Sequence, residues 1–285
     1  MKYNRIGWVL VALLVSVNLM AQGPTQYKFK VGDKFTVTSV VEQDIMQTML
    51  GQEIETTQNI STVDVYEVVE KSKTGYKLKT TGISRNIYTE TGGGSVTMDS
   101  DMEGDEHLAF RVLTGKSYYV NMNNYGKFLS FEGMDVFKDQ VRRELAGTIL
   151  ESQADQLLDA FDDETLGAAF DGQFYIYQEP GQSWNREAEM VVNNLPISVQ
   201  YEFSRNGADE IKAIGAMVLS GEFEVMGNMM SADMAGEQSS VFKLDKKSGL
   251  ATMITTVQDM DGSLEVSDLT VPMVLKTKVT VTISN

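Results

Sequence analysis

The densest run of side chains that could do chemistry is Asp99-Ser-Asp101-Met-Glu103-Gly104-Asp105-Glu106, followed by the chain's sole histidine, His107. Carboxylates at alternate positions before a glycine resemble the start of a calcium loop, because Ca²⁺ takes six to eight oxygens and needs a sharp turn to wrap them. Asp99, Asp101, Glu103 and Asp105 are therefore the candidate Ca²⁺ ligands. The twelfth position counted from Asp99 is Phe110, where such a loop places a bidentate Glu, and a solvated acidic loop is the competing reading. His107 in this polar setting reads as an exposed side chain, since a catalytic base needs a positioned partner.

Two methionine-rich stretches form the second candidate. Met46, Met49 and Leu50 gather with Ile45 and Ile54 around Gly51, an apolar tip where a hairpin is normally polar. Met226, Met229, Met230 and Met234 lie between Val225 and Gln238, which reads as an apolar loop broken by Gly227 and Gly236. Methionine is unbranched and polarizable, so it either plugs gaps in a core or lines an adaptable binding surface. On the second reading these seven residues form the mouth of a site for an apolar or lipid-like ligand.

Other chemistry is scarce. With no cysteine and one histidine, the chain lacks a thiol nucleophile, zinc spacing and disulfides, and it has no Gly-x-Ser-x-Gly elbow. Gly92-Gly93-Gly94 lacks the Lys and Ser or Thr of a phosphate loop, and no motif calls for a cofactor. A carboxylate pair among the forty acidic residues is compatible with glycoside hydrolysis, but only Trp184 would remain to line a sugar cleft after removal of an N-terminal leader. The expectation is a non-catalytic protein. A carboxylate-dependent hydrolase and a cell-envelope structural or protein-interaction module are the alternatives.

The elements that must position these residues change character once. From Gly133 to Gly172 the spacing is helical, with Phe137, Val141, Leu145 and Ile149 at every fourth position and Leu157, Leu158 and Phe161 continuing the stripe. On both sides the period is two. Tyr27, Phe29 and Val31 predict a short strand, and Phe35–Val41, Ile60–Val69, Tyr76–Tyr88 and the Tyr118–Phe131 hairpin follow. The second half echoes the first: Gly-Gln-Ser-Trp184 answers Gly-Asp-Lys-Phe35, and the Val241–Thr256 hairpin answers Tyr118–Phe131. Asp261-Gly262 predicts a tight turn, and Leu275–Ser284 alternates most regularly of all. The fold class is thus α+β: two related antiparallel β-rich halves, 26–132 and 173–285, forming a curved sheet or half-barrel around a central helical segment at about 133–172. The halves are expected to make one mature domain, 22–285.

Residues 1–21 read as a signal peptide, with Lys2 and Arg5 ahead of the apolar run Trp8–Val17 and cleavage after Ala21. That run is shorter than the roughly 20 residues of a spanning helix. The mature chain is expected in the periplasm or outside the cell, without a lipid-attachment cysteine. Loss of Lys2 and Arg5 takes the formal charge from −16 to −18, a surface that repels nucleic acid and anionic lipid.

The Val31-Gly-Asp-Lys-Phe35 opening, Phe131-Glu-Gly-Met-Asp135, Phe161-Asp-Asp-Glu-Thr-Leu166 and Pro180-Gly-Gln-Ser-Trp184 together resemble an uncharacterised family of exported bacterial proteins, a domain of unknown function. The chain departs from that pattern at Gln182, where the family usually carries an acidic residue, and in lacking the cysteine its exported relatives often have. More distantly, the helix-between-curved-sheets plan is similar to the periplasmic lipoprotein-carrier superfamily. That resemblance implies a half-open barrel sheltering acyl chains, hence a lipid or other apolar small molecule as partner. An envelope protein is the other candidate partner.

Overall fold

The computed structural model describes residues 23–159, 161–178, 182–192, 195–225, 228–266 and 269–285. The expected signal peptide and Met226 lie outside them. Twelve strands form one antiparallel sheet in the order β6-β5-β3-β2-β1-β12-β11-β10-β9-β8-β7, with β4 paired to β3. The first half supplies β1 (Lys34–Met49), β2 (Gln52–Lys71), β3 (Gly75–Thr91), β4 (Gly94–Asp99), β5 (Ser117–Asn123) and β6 (Phe128–Glu132). The second supplies β7 (Ser183–Val192), β8 (Leu195–Arg205), β9 (Glu210–Val225), β10 (Asn228–Leu244), β11 (Ala251–Val266) and β12 (Leu269–Ser284). The halves meet where β1 pairs with β12, from Thr36↔Ser284 to Gln47↔Met273.

The expected architecture is the observed one, with local corrections. Tyr27 and Phe29 are buried as alternation requires, yet Val31 is 60% exposed and their segment pairs with no strand. Instead it crosses one end of the sheet, where the Tyr27 N–H donates to Asn124 O at 2.9 Å and the Lys28 N–H to Ser248 O at 2.8 Å, tying first half to second. The stretch read as a methionine loop is the beginning of β10, and Asp261-Gly262 lies within β11, opposite Ala235 and Met234. In both places ladder pairing carries the strand through glycines that are turn signals in isolation.

The helical region divides into α2 (Met134–Leu145), α3 (Ala154–Asp159) and α4 (Asp163–Phe174), and one further short helix, α1 (Leu108–Arg111), stands before β5, outside the segment expected to be helical. The four-residue stripe holds for Phe137, Val141 and Leu145, which pack with Val112, Leu113, Ala154 and Leu158. It stops there: α2 ends at Leu145, Gly147 turns left-handed, and Ile149 is 65% exposed. Helix α4 begins on Asp162, whose carboxylate accepts the Thr165 N–H at 2.6 Å.

Strands β6 and β7, the ends of the sheet order, do not pair, and α4 packs against both. One helix can touch both edges only if the sheet curls until its edges approach it. The Phe128 N–H of β6 donates to the Asp171 carboxylate at 2.6 Å. Gly167 allows the approach, since a Cβ there would meet the Phe128 ring at 2.7 Å. On the other flank Arg186 of β7 donates to the carbonyls of Tyr175 and Tyr177, just past the helix. The main core fills the end of the sheet crossed by the Tyr27 segment. There Phe35 stacks on Tyr66 at 5.3 Å and 9°, and Trp184 stacks on Phe203 at 5.3 Å and 4°. The two echoing motifs thus place equivalent aromatic pairs.

Candidate functional site

Residues with one parity on each strand share the inner, core-bearing face. On β7 these are Trp184, Arg186 and Ala188, and across from them β8 presents Phe203, Tyr201 and Val199. Next come Ala213, Gly215 and Met217 on β9, then Ser240, Gln238 and Gly236 on β10. Ala213 is too small to fill the space above it, and the facing side of α4 carries Ala168 and Gly172. Small residues on both walls leave a cavity of ≈ 250 Å³ at the seam between α4 and the second half, walled further by Ile176, Phe203 and Phe242.

The polar lining is asymmetric in charge. Arg186 is sandwiched between the rings of Tyr175, 3.4 Å from the centroid, and Phe203, at 4.7 Å. Its two terminal nitrogens serve the carbonyls already named, while its Nε is buried without a hydrogen-bond partner. Among the described residues no carboxylate stands within ion-pair distance of it. Burial holds its pKa below the ordinary guanidinium range, against the opposing pull of Tyr175 and Asp171. Burial likewise raises Asp171, partly offset by the Phe128 N–H and by the nearby Lys127 and Arg186 charges. Arg85 on the inner face of the first half is the contrast: it pairs with Asp64 at 2.5 Å and also donates to Val63 O and Ser84 O. That partly buried cation is satisfied within the protein and Arg186 is not.

Beyond the cavity the inner face is banded. Tyr201 OH lies 3.4 Å from Gln238 Oε1, which also accepts from Gln258 at 2.8 Å, and further along the same band Gln43 donates to Thr277 and Gln58 to Thr89, each at 3.1 Å. Past this amide belt lies a second apolar cluster of Val199, Met217, Met234 and Met260, with Met273 and Leu275 packed against it. Gly236 and Gly262 let β10 and β11 crowd there, since a Cβ on either would stand about 2 Å from a neighbouring carbonyl, 2.0 Å for Asp259 O and 2.1 Å for Asp233 O.

The structure divides the methionines nominated from sequence. Met234 is 2% exposed in this inner cluster, and Met230 shares its face nearer the strand end. Met229 and Met46 lie on the outer parity, 57% and 43% exposed, while Met49 and Leu50 occupy the β1–β2 tip with Leu50 left-handed at φ 51°. The row Met234↔Gly262↔Met273↔Gln47 shows that both regions lie toward one end of the sheet. They are three strand spacings apart, about 14 Å. Met217, Met260 and Met273, with Arg186, are the residues sequence reasoning missed. The available signal was Gly215-x-Met217, Met234-x-Gly236 and Met260-x-Gly262, the same small–large pairing on three neighbouring strands.

The acidic stretch is built as a turn. Asp99 accepts from the Asp101 N–H and from Asn86, each at 2.8 Å, and among the described residues no three His, Cys, Asp or Glu side chains are grouped to hold a metal ion. His107, expected to be exposed, is 5% exposed because its Nδ1 accepts the Asp99 N–H at 3.1 Å.

An open antiparallel sheet, curled around its own apolar face and closed along the seam by a helix, defines the class of protein. By sequence the chain belongs to the Family of unknown function (DUF6263), matched over residues 73–251, a span that includes every residue of the seam cavity. No curated protein matches it significantly. Among solved structures it is similar to one described as lipid–protein interactions in lipovitellin, at TM-score 0.56 and 8% identity over 90% of this chain. The match spans 26% of that chain, about a quarter of its length, and the likeness is one of fold. An outer membrane channel of Pseudomonas putida F1 aligns over 91% of this chain and 98% of its own at 7% identity, but at TM-score 0.23. Among the described residues no helix is long and apolar enough to cross a membrane.

Proposed function

We propose that this protein is an exported, non-catalytic binding protein that holds an apolar-chain molecule against the inner face of its sheet, with access at the seam beside α4. The observation that carries the reading is the cavity itself: an apolar wall of Ile176, Phe203 and Phe242 joined to a few polar groups, where the curled sheet fails to close. The neighbouring methionine cluster supports it, because unbranched thioethers occupy space without ligand and can rotate aside for a chain. The lipovitellin likeness supports the architecture, and its title concerns lipid contacts of that protein. The leader-like residues 1–21 support export.

Native mass spectrometry of the protein purified from a Gram-negative periplasm, followed by solvent extraction, tests this. The expected result is a discrete bound mass that extracts as an apolar molecule, or uptake of dodecanol by protein isolated empty. A clean mass with no uptake on challenge would contradict the proposal.

A further inference from the structure

We infer that the seam cavity recognises a carboxylate head group carried on an apolar chain, with the Arg186 Nε–H as its fixed donor and the Lys127 ammonium as its second charge. This rests on the binding reading above and names the ligand class. Each terminal nitrogen of Arg186 already donates to a backbone carbonyl, which ties the guanidinium down, and its Nε–H is buried and unpaired in a cavity wall. A desolvated cation without a counter-charge is a standing cost that an anionic ligand relieves. A neutral head group would leave it in place.

The number of charges argues for a monoanion. The wall holds Asp171, with exposed Glu187 and Glu189 along the adjoining β7 edge. A phosphate dianion would meet more repulsion from these carboxylates than a carboxylate does. At ≈ 250 Å³ the cavity falls below the usual range for a whole small-molecule ligand, so it takes the head and first carbons. Tyr201 lines the cavity and also packs against the Val199–Met217 cluster, so its ring offers the rest of the chain an apolar surface past the amide belt.

Calorimetric titration of the full protein at near-neutral pH with dodecanoate, dodecanol and dodecyl phosphate reads the head-group term at constant chain. Dodecanoate is expected to bind at least about tenfold more tightly than dodecanol. Arg186→Met should abolish that preference. Because Arg186 also ties down Tyr175 and Tyr177, Lys127→Met on the exposed rim and Ala168→Phe in the cavity wall are measured beside it, with circular dichroism melts of each. Lys127→Met should cut the preference severalfold, and Ala168→Phe should weaken binding of all three probes. Equal affinity for dodecanoate and dodecanol would overturn the head-group assignment while leaving apolar binding intact, and no binding by any probe would overturn both. Tighter binding of dodecyl phosphate would overturn the choice of carboxylate. Indifference to Lys127→Met and Ala168→Phe would place the site elsewhere and overturn the assignment.

Discussion

At Gly236 a single hydrogen atom decides whether two strands can lie together, because a Cβ there would stand 2.0 Å from the Asp259 carbonyl and 2.7 Å from the Met260 Cα. Both obstacles are on the neighbouring strand, and backbone cannot move aside as a side-chain tip can. Gly236→Ala is therefore expected to cost about 2 kcal/mol or more. Gly172, in exposed helix with nothing within 4 Å of the place a methyl group would take, is the opposite case. Gly172→Ala should stabilise by about 0.5–1 kcal/mol through helix propensity and a less flexible unfolded chain. Urea denaturation of the two variants checks this, and similar effects of the same sign would contradict it. The same residues show what is legible at this scale. Composition singles out Met234, but its burial depends on Gly262 across the ladder, a pairing no local window contains. The burial of His107 escapes the sequence for the same reason, since the backbone N–H it accepts belongs to a turn eight residues earlier.

Helix α4 takes the place that a further strand would occupy in a closed barrel, held to β6 by the Asp171–Phe128 hydrogen bond and to β7 through Arg186. Its contact with β6 depends on Gly167 lying against the Phe128 ring. Gly167→Val should push the helix off that ring at a cost of about 1–3 kcal/mol. Hydrogen exchange should then accelerate within α4 while the β10–β11 ladder keeps its protection. Uniform acceleration throughout the sheet, or none in α4, would contradict the seam role. Helix α2 is readable in the sequence because its stripe faces one partner layer. Helix α4 can be placed but not interpreted: its buried residues Gly167, Phe170 and Phe174 form a narrow face, and the small residues that open the cavity resemble ordinary helix filler.

Across the molecule, two strand-rich halves share one sheet, with a packed aromatic end where the Tyr27 segment crosses and a methionine-bearing cluster past the amide belt. The division into halves and the helical insert are legible because both rest on local periodicity. Neither the curl nor the seam is, since they arise from β1 pairing with β12 and from β6 and β7 remaining unpaired, relations across the whole chain. An apolar chain lying on this inner face would be within reach of a photolabel. Dodecanoic acid carrying a mid-chain diazirine, photolysed in the presence of the protein and mapped by peptide mass spectrometry, reads its position residue by residue. The predicted result is labelling, suppressed by excess unlabelled dodecanoate, on inner-face positions of β8–β10 around Tyr201, Met217 and Met234 and on α4. Labelling confined to the outward Met46, Met229 and Leu50, or labelling that excess ligand does not suppress, would contradict it.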